Sequence, residues 1–242
     1  WIVFTSMNGV DYFFEHLRNT IDTETLRNSP IQFAVVGEKT KQALEADIAT
    51  NSLLGDLRND LVVLKGFDAT AYKIAYKKER IKHYLPWVLG LMEGDSGSED
   101  KILQYMLVWA IDIGDIGHFL QIATYMEKHE LQPPFETKLP TFVSDNARDN
   151  IAALSIEDAE NIAKFLDGKD VHQTSHATFL RLLGEKLLDG KEIDDLADDD
   201  LVMLEKVSQY WHEAVKLKAD IGIKKQLEKL DKKVIELKEV PV

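Results

Sequence analysis

Four groups of residues in this chain have the types and spacing to do chemistry. The first stands at the start, in "WIVFTSMNGVDYFF". An apolar run of strand type enters a Thr5-Ser6-x-Asn8-Gly9 turn and leaves as an amphipathic stretch, an arrangement by which α/β folds hold hydroxyl and amide groups at the mouth of a site. The second is a basic cluster, Lys73, Lys77, Lys78, Arg80 and Lys82. Lys73, Lys77 and Arg80 fall at i, i+4 and i+7, so one helix face carries them, with Lys78 and Lys82 as the next stripe. Such a stripe binds phosphate by charge, which adds affinity without reading base sequence; the bland alternative is a solvated helix face.

The third group is His172 and His176. Two histidines four apart share a helix face, but zinc needs further ligands, and Gln173 stands where a metalloprotease helix carries Glu. Ser175 reads as a helix N-cap, which places His172 outside the helix. Both are read as ordinary histidines, and no metal site and no cofactor is expected. The fourth group is carboxylates. Asp112 and Asp115 sit in a short link between two apolar stretches, where turn and capping duty is the ordinary use. Between Glu185 and Glu205 nine carboxylates face two lysines; the run is read as solvated and lacks the fixed scaffold of a two-metal nuclease. No catalytic residue is assigned.

Other classes are excluded by what is missing. No G-x-x-x-x-G-K-[ST] occurs, which removes P-loop ATPase chemistry. With no cysteine among 242 residues there is no disulfide, thiolate nucleophile or Cys-ligated zinc. The formal net charge of −13 repels polyanions on average, so any nucleic-acid contact needs a segregated basic patch. No apolar run is long enough to span a membrane. The first residues lack a signal-peptide layout, and the start at Trp1 rather than Met points to a natural N-terminus further upstream.

The elements that must position these groups divide by composition near residue 50. Residues 1–50 read as a small βαβα piece: "WIVFT" and "IQFAVVG" as strands, "NGVDYFFEHLRNT" and "EKTKQALEA" as helices. Residues 51–242 read as helical. One or two helices stop near Pro86, Ser98 caps the next, Asp115 caps the one after, and "LQPPFETKLP" is an extended loop. Near the end, Ile223, Leu227, Leu230, Val234 and Leu237 are spaced 4, 3, 4, 3, a seam of two heptads that fits a partner helix or the chain's own surface. That stretch is also basic, with eight lysines against four carboxylates from Lys216 to Lys238, a rival to the first basic cluster. The fold class is mainly α: helical hairpins or a bundle with a small N-terminal βαβα piece and a C-terminal heptad helix.

From about residue 55 to 238 the chain resembles the small subunit of the DNA-packaging terminase of peduovirus-type temperate tailed phages. "YLPWVLGLM", "DKILQYMLVWAIDIGDIGHFLQIATYMEKHELQPPF" and "GIKKQLEKLDKK" carry the resemblance, above all the block from Trp109 to Pro134. It implies a protein that recognises phage DNA ends, binds double-stranded DNA and works with a large ATPase-nuclease subunit in the bacterial host cytoplasm. The family also bears the label of terminase endonuclease subunit, although no nuclease motif stands in these residues. Small terminase subunits commonly self-associate, a role that falls here to the heptad seam; the DNA-contacting role falls to Lys73, Lys77, Lys78, Arg80 and Lys82. Residues 1–47 instead resemble a piece of uroporphyrinogen-III synthase, through "FTSMNGV" and "VVGEKT". That resemblance implies half of a tetrapyrrole site lined by Thr5, Ser6 and Asn8, and an alternative reading as a truncated or degenerate synthase.

Overall fold

The computed structural model describes residues 1–20 and 31–239. Strand β1 (Ile2–Phe4) leads into helix α1 (Met7–Thr20), and strand β2 (Phe33–Val35) into helix α2 (Glu38–Lys65). The two strands pair in parallel, Ile2 opposite Phe33 and Phe4 opposite Val35. Strand periodicity puts Ile2 and Phe4 on one face, and helical periodicity puts Val10, Phe14 and Leu17 on another. These faces meet with Leu44 in a small core, where the Phe4 and Phe33 rings stack at 5.9 Å. The βαβα order is thus as the sequence reads.

Helix α2 runs through residue 50 without a break. The change in composition there is not a break in the backbone, because the first half of α2 packs on α1 and its second half on the following helix. A turn at residues 66–69 leads to α3 (Thr70–Gly94), antiparallel to α2. The sequence reading stops this helix near Pro86, yet α3 continues for two more turns. Proline removes the donor that the Lys82 carbonyl would meet and crowds that carbonyl, but both Pro86 and Lys82 are exposed, so the turn is free to open toward solvent.

The chain forms two compact units, one of Trp1–Leu91 with Asp100–Met106, the other of Met92–Glu99 with the chain from Leu107 onward. Helix α4 (Lys101–Ile113) begins in the first and ends in the second. Its cap is Asp100, whose carboxylate accepts from the Leu103 amide at 2.8 Å, rather than Ser98; only Asp100 directly precedes the first helical residue.

The second unit continues with α5 (Ile116–Lys128), α6 (Leu139–Asn150), α7 (Ile156–Leu166), α8 (Gln173–Leu188), α9 (Leu201–Leu217) and α10 (Lys224–Glu239). Asp115 caps α5 as expected, accepting from the His118 amide at 3.2 Å. Ser155 caps α7 through the Asp158 amide at 3.0 Å. Ser175, by contrast, is not a cap. It lies inside α8, buried, and its hydroxyl donates to Asp145 at 2.7 Å. Helices α8 and α9 pack closely because Gly184 has no side chain: a Cβ there would fall 2.1 Å from Nε1 of Trp211, which donates to the Arg181 carbonyl at 3.1 Å. Among the described residues no helix is long and apolar enough to cross a membrane.

Helix α10 lies on α9. Ile223, Leu227, Leu230 and Val234 are buried within the chain itself, with Leu237 half-buried. Asp231 joins the two helices, accepting from Ser208 Oγ at 2.7 Å and lying 3.0 Å from His212. The apolar face of the seam is thus occupied by its own chain. Two heptads fit either use; here Ser208, His212 and Glu205 of α9 meet Asp231 and Lys238 of α10.

Candidate nucleic-acid interface

Around α3 the structure organises one carboxylate and three donors. Asp60 of α2 is buried, 5% exposed. Tyr76 Oη donates to its Oδ1 at 2.7 Å, while Arg80 Nε at 2.8 Å and Tyr84 Oη at 2.5 Å donate to Oδ2. The donors stand at i, i+4 and i+8, successive turns of one α3 face. A buried carboxylate is tolerable only when its lone pairs are met in this way. The effect on the partners is electrostatic. The hydrogen bond that Arg80 donates to Asp60 holds the Arg80 guanidinium above its ordinary range, against the cost of burial. Burial and the hydrogen bond to Asp60 hold the Tyr84 and Tyr76 hydroxyls protonated above theirs. One turn away His83 Nε2 sits 3.0 Å from Asp56.

This network re-sorts the basic cluster. Arg80 serves the helix pair through Asp60. Lys73 and Lys77, near the same side of α3, are half-buried, while Lys78 and Lys82 are exposed. The i, i+4, i+7 stripe read from the sequence is thus turned toward α2, and the second stripe is the open one. Lys82 pairs loosely with Glu79 at 3.4 Å on the surface; among the described residues Lys73 and Lys78 have no ion-pair partner. Asp60, Tyr76 and Tyr84 were missed in the sequence. The signal was present: one acid in the apolar stretch "NDLVVL", and Tyr-x-x-x-Arg-x-x-x-Tyr at helical spacing.

The rival basic stretch on α10 is differently placed. Lys229 pairs with Asp194 at 2.8 Å and Lys238 with Glu205 at 2.7 Å, so the acid-rich segment neutralises part of it. That segment forms two short 3₁₀ turns, Ile193–Asp195 and Asp198–Asp200.

The remaining candidates fall apart from one another. Ser6 directly precedes α1, its Oγ accepting from the Gly9 amide at 3.2 Å, and Thr5, Ser6 and Asn8 are all exposed. His172 precedes α8, and its amide donates to Thr141 Oγ1 at 3.0 Å. His176 lies in a groove of about 780 Å³ between α7, α8 and α9, half-buried near Tyr210 and Glu213. Among the described residues no three His, Asp or Glu side chains gather as a metal ion requires.

With this geometry in place, the comparisons are specific. The profile of the uroporphyrinogen-III synthase HemD family matches residues 1–71, and that of the phage small terminase subunit family matches residues 54–177. The two overlap across the second half of α2 and the turn into α3. A terminase endonuclease subunit of Escherichia phage P2 is 26% identical over 216 residues, 84% of this chain and 82% of the phage protein. A probable terminase endonuclease subunit of Haemophilus phage HP1 is 26% identical over 185 residues, 72% of this chain and 66% of that protein. No solved structure matches. The terminase profile spans half of the chain, from the hairpin that holds Asp60 to the start of α8, and so the chain belongs to the phage small terminase subunit family.

Proposed function

We propose that this protein is a DNA-packaging protein of a phage, a terminase small subunit that binds duplex DNA and works beside the large terminase subunit in genome cleavage and packaging, in the host cytoplasm. The observation that carries the reading is where the terminase profile falls: it covers the whole of α3, with its lysines, and stops short of α10. Lys78 and Lys82, supported by Lys73 and Lys77, supply the phosphate contacts in a chain that otherwise repels DNA. The phage relatives, each 26% identical, carry the name of terminase endonuclease subunit. Self-association belongs to the proposal, through a surface other than the buried α10 seam. The synthase alternative rests on residues 1–71 alone, with Thr5, Ser6 and Asn8 on one short turn, and no observation beyond α2 favours it.

The test is titration of a labelled duplex with the intact protein at low salt and then at rising salt. Binding that weakens linearly on a log–log plot supports the reading; a protein silent on duplex at low salt overturns it.

A further inference from the structure

The tip of the α2–α3 hairpin carries an aromatic side chain that the fold does not bury. Tyr72 is 67% exposed, and Val62 at the end of α2 is 69% exposed, with Val63 also open. A single exposed apolar residue needs no explanation, but this ring is held. Its centroid lies 6.2 Å from that of Phe67, whose ring lies 5.8 Å from Tyr76, and Tyr76 is fixed by its hydrogen bond to buried Asp60. The chain of contacts runs from the buried carboxylate out to an open aromatic face. Around it the charge is positive: from Arg58 to Lys82 seven cations meet three carboxylates, Asp60, Asp68 and Glu79, of which Asp60 is masked by Arg80. Lys65 and Lys73 flank the tip.

We propose that Tyr72 is a nucleotide-contacting residue, its ring stacking on an unpaired or unstacked base of the DNA that the lysines hold. The proposal rests on the DNA-binding reading above and adds a second, non-ionic kind of contact to it. Charge complementarity selects the occupant. A polyanion satisfies the flanking lysines and offers flat π faces, whereas an apolar helix from a protein would leave those lysines unmet. The two kinds of contact separate by salt: lysine–phosphate contacts release counterions and base–aromatic stacking does not.

The experiment compares the intact protein with Tyr72→Ala and Tyr72→Phe on one labelled duplex and on the same duplex carrying an unpaired base. Tyr72→Ala is expected to lose about tenfold in affinity, with the salt slope unchanged, and Tyr72→Phe to keep parental affinity because the ring remains. The parent should prefer the duplex with the unpaired base, and Tyr72→Ala should lose that preference. Parental affinity in Tyr72→Ala overturns the proposal. So does a change of mass in light scattering at unchanged affinity, which would make the tip a protein interface. A parent that binds no duplex removes the underlying reading and this one with it, an outcome distinct from a binding parent matched by its alanine variant.

Discussion

Asp60 ties α2 to α3 through three donors. Replacing it with alanine leaves Arg80 charged and the Tyr76 and Tyr84 hydroxyls without their acceptor. Breaking a buried pair by removing one partner costs about 3–5 kcal/mol, so Asp60→Ala should shift the denaturant midpoint by a large fraction of total stability. An unchanged midpoint would mean that water serves the three donors equally well. A pair of glycines tests packing at the same scale. At Gly184 a methyl group meets the rigid Trp211 indole, so Gly184→Ala should destabilise by about 1–3 kcal/mol despite the helix propensity it gains. At Gly90 in α3 nothing lies within 4 Å of an added Cβ, and Gly90→Ala should stabilise by up to about 1 kcal/mol. The same sign at both sites would refute the packing argument. His176 supplies the pH dependence. Burial holds its folded-state pKa below the ordinary 6.5, against the pull of Glu213 and Asp167. The unfolded chain then binds the proton more readily, so the contribution is complete above 6.5 and is lost as pH falls toward the folded value. Thermal melts above and below 6.5 should show a smaller acid loss in His176→Gln than in the parent.

At the scale of elements, α10 is the clearest case of a pattern that does not choose its partner. Its seam was legible from spacing alone, but a two-heptad stripe says only that one face is buried. Because Leu227 and Leu230 are buried within the chain, Leu227→Asp with Leu230→Asp should detach α10 and lower stability, each side chain losing burial worth about 1.5–3 kcal/mol. Light scattering should show the same mass before and after; a fall to a smaller species would restore the seam as an intermolecular contact. The βαβα order, the Asp115 cap and the helical body were all readable, because periods of two and near four and a capping carboxylate are local signals. Pro86 and Ser175 misled for the complementary reason. Whether a proline ends a helix depends on whether water reaches the orphaned carbonyl, and whether a serine caps depends on which helix turn meets Ser144 and Asp145. Both are tertiary facts.

At the scale of the molecule, the composition shift near residue 50 and the two overlapping family matches describe one junction from different sides. Helix α2 crosses it unbroken, with its first half on α1 and its second half fixed to α3 through Asp60. The basic residues of α3 were legible as a cluster, but not which of them face outward, since that was set by the Tyr76–Arg80–Tyr84 face turned to α2. In the proposed function DNA is held by the open lysines of α3, Lys78 and Lys82. Salt-dependent titration of a duplex with Lys78→Glu and Lys82→Glu in one variant tests this, with Arg80 left intact to keep the helix pair. The variant should bind all duplexes more weakly and flatten the log–log salt slope by about 2 units, roughly 0.9 for each lost contact, with unchanged circular dichroism. Parental affinity and slope in that variant, together with loss of binding on charge reversal at Lys224, Lys225 and Lys232, would contradict the claim and move the DNA site to α10.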